Sequence, residues 1–344
     1  MNRKDFVTAT VAGALATLPT AHALGSPILP AFQFSNGFWI NLHHTLYYHM
    51  QAIENAYQLA SRVSPKDKIA LADLQAIPAA HETAWHQALQ IYHRNYAHSD
   101  FVFDDALRAS DETLSAWSAT ASSAPATLPP DMAKALDLAA PIYSAFLWPK
   151  HRRQNSAFED KLQALLATYG TTFRARLPEL YGTPWLDQPY RVDVVAYSDR
   201  DGSYCNNATG YVHIVISSCD ADDLGPHGLD VLFHEASHSI AGPFDGTIGG
   251  PIVAAARELN RLVPDQFWHT VLMFTPGRVA ESVFNASRLR PYTMVWVTNG
   301  LFTDVWPRYY AILKQYWQPY MDGKTDRVTA LTQSVQAIVR GNAT

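Results

Sequence analysis

The chain has 344 residues, enough for one large or two moderate domains. With 48% hydrophobic and 17% charged residues it can bury a core, which excludes a disordered polymer. A net charge of −5 without a long basic run argues against nucleic acid as the main partner.

Residues 1–23 read as a signal peptide. Arg3 and Lys4 make the charged start, Val7 to Leu18 is an apolar run, and Ala21-His22-Ala23 is an A-x-A-like cleavage site. The opening Asn2-Arg3-Lys4-Asp5-Phe6 also resembles a twin-arginine export signal, with Lys4 in place of the second arginine. The run is too short for a permanent anchor, and no later stretch has the length of a transmembrane helix. The expectation is an exported protein, periplasmic or secreted, with no membrane span in the mature chain.

Gly25 to Gln33, with Pro27 and Pro30, reads as an extended lead-in. From Asn36 to Arg62 the pattern turns helical, with Phe38, Leu42, Leu46, His49, Ile53 and Tyr57 at helical spacing. His43, His44 and His49 lie here, no two of them four apart. They read either as packed core histidines or as a wall facing a substrate or second metal. Residues 66–95 and 100–118 predict two more helices. Ala119 to Pro130 is a Ser/Ala/Thr/Pro-rich loop, and residues 131–147 are helical up to Trp148-Pro149. Lys150, His151, Arg152 and Arg153 form a basic cluster, read as a solvated helix start or a carboxylate site. Residues 156–181 are again helical.

The composition shifts near Pro184. Arg191 to Tyr197 and Tyr211 to Ser217 predict strands, separated by a turn at Asp199 to Gly202. Cys205 and Cys219 flank this second strand, and in an oxidising compartment they are expected to form a disulfide.

Val231 to Ile240 contains H-E-x-x-H in a helical run, with Leu229, Leu232, Phe233, Ala236 and Ile240 as its apolar stripe and Gly242-Pro243 as its stop. Histidines four apart are offset by only about 40° around a helix, so His234 and His238 can reach one metal ion. Glu235 then stands beside water that the metal would acidify, and can take its proton. Zinc suits nitrogen ligands and an open position for catalysis. One Zn²⁺ is therefore the expected cofactor.

After the motif, Gly242 to Gly250 is a glycine-rich loop that must approach closely or move. Pro251 to Val263 and Asp265 to Ser287 predict helices, Arg290 to Tyr320 is aromatic-rich, and Arg327 to Val339 predicts a last helix. The third ligand has two candidates. Glu258 follows His238 by twenty residues, and His269 sits in an otherwise apolar helix, where a buried imidazole needs a partner. Glu281 is a more distant candidate. Tyr292, Arg278 and His269 are candidate donors to a developing oxyanion, with Tyr292 in a loop suited to reaching a cleft.

Over roughly residues 190–290, the motif, the strands before it and the Glu258 spacing resemble the gluzincin, or thermolysin-like, zinc metallopeptidases. The sequence around Glu258 lacks the glutamate-and-aspartate pattern of thermolysin. The resemblance implies peptide-bond hydrolysis with Glu258 as third ligand and a peptide or protein as substrate. Zinc peptidases commonly add an extended peptide to the strand ahead of the motif helix, here Tyr211 to Ser217. The fold expected is α+β and predominantly helical, with a small antiparallel or mixed sheet next to the zinc-binding helix. A helical domain would span 24–185 and a zinc-metallopeptidase-like domain 186–344. The alternatives are an exported zinc-binding protein without turnover, with a closed four-ligand site, and a zinc hydrolase of a non-peptide amide.

Overall fold

A computed structural model describes residues 31–58, 63–199, 202–208, 210–244, 246–287 and 291–340. The segment read as a signal peptide, residues 1–23, lies outside the described residues. The first half runs β1 (Phe32–Ser35), α1 (Phe38–Gln58), α2 (Pro65–Gln75), α3 (Ala79–Tyr96), α4 (Asp105–Ala116), α5 (Pro130–Ile142) and α6 (Trp148–Tyr181). There follow β2 (Tyr190–Val195), β3 (Tyr204–Ala208), β4 (Tyr211–Ser217), α7 (Pro226–Ser237), α8 (Gly249–Glu258) and α9 (Phe267–Ala286). The chain ends with α10 (Val295–Thr298), α11 (Pro307–Ile312), α12 (Gln318–Met321) and α13 (Arg327–Arg340). The protein is α+β and predominantly helical, with one small mixed sheet among the described residues.

The sheet order is β1-β2-β4-β3. β1 and β4 run parallel to β2, and β3 closes one edge antiparallel to β4. β4 is thus an inner strand, and the edge expected at Tyr211 to Ser217 belongs instead to β3. The correction has a local cause: Tyr204 to Ala208 carries two asparagines, which disfavour a strand reading, yet the register with β4 supplies its ladder.

Alternation along the strands feeds two separate cores. Val192, Val194, Val212, Ile214 and Ile216 pack with α6, α7, α9 and the C-terminal helices. Val195, Val215 and Tyr204 face the other way, into the core of α1, α3, α4 and α5. A sheet covered on both faces explains why β4 reads as a nearly continuous apolar run. It also means that the cores do not separate at 185/186: β1 extends the sheet, and Phe158, Leu162, Phe173 and Leu177 of α6 belong to the core beneath the motif helix.

The sequence predicts one helix over 66–95, but Pro78 divides it. α2 starts at a capping box in which Asp67 N–H donates to Ser64 Oγ and Ser64 N–H donates to Asp67 Oδ2. Conversely, Trp148-Pro149 does not end a helix. A π-helical turn at Tyr143–Leu147 joins α5 to α6 just ahead of Pro149, and the π turns at 301–305 and 313–317 likewise precede Pro307 and Pro319. Proline has no N–H and its ring collides with the carbonyl four residues back, so a widened turn lets the helical path continue at Pro149 and Pro319. At Pro307 the path breaks instead, at Trp306 (φ −124°, ψ 46°), and the proline opens α11.

The histidines of α1 are core residues. His43 Nδ1 lies 2.6 Å from Tyr92 Oη, and His44 Nε2 lies 3.0 Å from Asp111 Oδ1. His49 is enclosed near Trp85 and Tyr197. Burial brings His43 and His49 down to about 3, with His44 adding to the shift on His43 and Asp73 opposing that on His49. In the basic cluster, His151 and Lys150 both bind Asp73 of α2, whereas Arg152 and Arg153 line an outer groove of α6.

Both cysteines are free thiols, so the expected disulfide is absent. They pack in different clusters. Cys205 pairs with Ile214 and packs on the motif-helix side, while Cys219 packs with Tyr48, Ala196 and Tyr197. A disulfide needs Cα atoms within about 7 Å and facing Cβ vectors. No described helix is long and apolar enough to cross a membrane.

Candidate metal centre

α7 starts at Pro226, whose fixed φ and missing N–H suit the first turn. Gly228 lets the helix approach the preceding turn, because a Cβ there would stand 2.4 Å from the carbonyl oxygen of Asp223. Leu229, Leu232, Phe233 and Ala236 enter the core under the sheet, and Phe233 stacks on Phe173 of α6 at 4.6 Å between ring centroids. With that face inward, His234 and Glu235 are buried and His238, at the helix end, is half-buried.

α9 packs across α7 and brings His269 to the same place. His269 Nε2 lies 3.3 Å from His234 Nε2. The ligand atoms of His234, His238 and His269 all lie within 4.8 Å of one another, and these three residues can hold a metal ion. Nitrogens about 2.0–2.1 Å from a tetrahedral ion stand roughly 3.3 Å apart, so the His234–His269 spacing fits one shared ion. Burial supplies the required protonation state. It brings His238 down to about 3 and His269 to about 4, and it takes His234 well below the usual imidazole range. The rings are therefore neutral at pH 7, with lone pairs available to a cation. The backbone carbonyl of Leu272 on α9 counteracts part of the shift on His234.

Glu235 Oε1 lies 3.8 Å from His234 Nε2. Burial, and then the nearby Asp223, push its carboxyl well above the usual range. Asp223 accepts from Ser203 Oγ at 2.6 Å and from the Ser217 N–H at 2.9 Å. Burial, and then the charge of Asp220, raise it to about 8.

The other sequence candidates lie elsewhere. Glu258 is exposed in the last turn of α8 and is not part of the converging group. Its place on the solvent side of a short amphipathic helix is the reason, since Ile252, Ala255 and Ala256 take the inner face. Glu281 and Arg278 lie further along α9 and pair with each other; Arg278 also donates to Gln318 Oε1 at 2.6 Å, and Glu281 accepts from the Met294 N–H at 3.1 Å. Tyr292 is buried, and its hydroxyl donates to Asp230 Oδ2 at 2.9 Å instead of projecting into a cleft. Asp230 stands one helical turn before His234 and also accepts from the Val295 N–H at 3.3 Å. Burial raises its carboxyl to about 7.

Three neighbours of the centre went unread in the sequence: Asp223, Trp268 and Trp296. Trp296 had a weak signal in the aromatic-rich stretch, and Trp268 stood next to His269, but neither spacing points to a metal. The glycine-rich loop does make a close approach. A Cβ on Gly249 would stand 2.1 Å from the carbonyl of Pro243, so the loop folds tightly back after the motif helix. No family model matches the chain, and no curated protein or solved structure matches it either.

Proposed function

We propose that this protein is a zinc-dependent hydrolase of peptide bonds, exported from the cytoplasm. The observation that carries the reading is the convergence of His234, His238 and His269 on one point, with the Glu235 carboxyl beside it. Three imidazoles suit zinc, and an ion with three protein ligands keeps a position for chemistry. When bound, the ion would supply Lewis acidity, lowering the pKa of water to near 7. Glu235 would then take a proton from that water and deliver it to the leaving amine. Its buried, low-dielectric setting makes the carboxylate a stronger base than one in water. The half-buried His238 and His269 leave the centre reachable from one side. β3, an edge strand among the described residues and in contact with the motif helix, is the candidate for pairing with an extended peptide.

The thermolysin-like reading loses one of the features it was drawn from, the Glu258 spacing, because Glu258 is outside the converging group. The reading as a storage or structural zinc protein is weakened by the same fact, since it needs a fourth protein ligand. A hydrolase acting on a non-peptide amide is the second reading. It gains from β4 being an inner strand, which removes the peptide edge first expected.

The test is metal content and hydrolysis in wild type and in Glu235→Gln. The wild type is expected to purify with one zinc per chain and to cleave a peptide library. The variant is expected to keep the zinc and lose about 10²–10⁴-fold in rate. Undiminished cleavage by Glu235→Gln, or a metal-free wild type that cannot be loaded, would refute the proposal. Cleavage of N-acyl amides but not peptides would select the second reading.

A further inference from the structure

We infer that Trp268 and Trp296 form an aromatic-accepting subsite beside the three histidines, selecting substrates that carry an aromatic side chain next to the scissile amide. The inference deepens the hydrolytic reading and rests on it.

The two indoles come from different elements and flank the centre from two directions. Trp268, in the first turn of α9, stacks on His269 with ring centroids 5.2 Å apart and planes at 30°. It meets His238 edge-on at 5.8 Å. Trp296, in α10, meets His234 edge-on at 4.9 Å. Each imidazole of the cluster thus touches an indole. Both tryptophans are only partly buried, although their neighbours Phe267 and Val295 are fully enclosed. The Nε1 of Trp296 is inside, without a hydrogen-bond partner among the described residues, so whatever part of that indole reaches solvent is carbon.

Large apolar rings left partly open beside a polar centre offer area that only a ligand can cover. Aromatic groups cover such area best, because offset-stacked and edge-to-face pairs add to what burial alone contributes. A polar or charged group would find no donor on the outward part of Trp296. The chemistry at this wall therefore selects a phenyl or indole group over a methyl, by about tenfold or more on the scale of hydrophobic-pocket discrimination.

The test uses the full chain loaded with zinc and two probes that share one chelating head, acetohydroxamate and 3-phenylpropionohydroxamate. Affinities are measured by calorimetry for wild type, Trp268→Leu and Trp296→Leu, with zinc content measured on each sample. The wild type is expected to prefer the phenyl probe by at least about tenfold. Each leucine variant is expected to keep its zinc and lose most of that preference, with acetohydroxamate binding little changed. Equal binding of both probes by wild type overturns the subsite even if neither variant folds. So does a preference that survives in both variants, or a loss of zinc in both, which would make the indoles supports for the imidazoles. If wild type binds neither probe, the metal-centre reading falls together with the subsite. A phenyl preference without cleavage of any amide would leave the subsite standing and remove only the hydrolysis.

Discussion

His234 and His238 were readable because their geometry is local. Four residues along an α-helix return a side chain to the same face whatever surrounds it. His269 comes from another helix, and no spacing rule links it to the motif. Its nearness to His234 is decided by how α7 and α9 cross. Glu258 had a spacing argument but lies on the wrong face of its helix. The two residues make a paired prediction. Glu258→Ala should leave zinc affinity and stability unchanged, since it removes an exposed side chain outside the group. His269→Ala should weaken zinc by more than the roughly 10–100-fold that loss of a supporting outer group costs. Competition titration with a chromophoric chelator checks both, and equal effects of the two substitutions would restore Glu258 as a ligand.

Helices and strands were legible where their periodicity was strong, as in α1, α6, α9 and β4. The failures share a cause, which is that pairing and packing overrode local preference. β3 has little strand propensity, but the β4 ladder holds it. Prolines 149 and 319 look like helix breakers, yet π turns carry the path past them, whereas Pro307 does start a new helix after a break at Trp306. The glycine-rich loop after α7 was legible in composition, while its reason is tertiary. Gly249 needs its missing Cβ because the backbone of Pro243 occupies that space. Gly249→Ala should therefore destabilise the fold by about 1–3 kcal/mol, since backbone cannot yield as a flexible side chain can. The measurement is the urea midpoint at constant m-value, and an unchanged midpoint would show that the loop can relax.

The molecule as a whole is a sheet held between two cores, and it buries many ionisable groups at the seams. Their titration sets a pH profile for the metal-free protein. His43 and His49 fall from about 6.5 to about 3 on folding, mainly through burial. Below pH 6.5 the unfolded chain binds their protons and the folded one does not, so their contribution is lost as the pH falls from 6.5 toward 3. Asp223 and Asp230 behave oppositely. Burial raises them from 3.8 to about 8 and about 7, so their contribution is present below 3.8 and lost as the pH rises through those values. Asp111 adds to acid sensitivity: burial acts to raise it, but the His44 charge and hydrogen bond prevail and hold it at about 2. On their own the two histidines and the two buried aspartates cancel between pH 3.8 and 6.5. In the metal-free protein His234, His238 and His269 are lowered as well, and these five histidines outweigh Asp223, Asp230 and Glu235. Stability should therefore peak near pH 6.5 and fall on both sides. Asp223→Asn and Asp230→Asn should flatten the fall between pH 6.5 and 8. Urea midpoints across pH 3–8 would show it, and a profile still rising at pH 8 would contradict the assignment.

From sequence alone came the class of fold, the motif helix and the pair of imidazoles with a carboxylate between them, because each depends on residues adjacent along one helix or strand. Tertiary packing decided that His269 and not Glu258 joins them, that β3 and not β4 is an edge, that two cysteines pack in different clusters, and that Tyr292 is bound to Asp230. Those outcomes depend on which faces of separate elements meet, and that is settled by burying apolar surface across the whole chain.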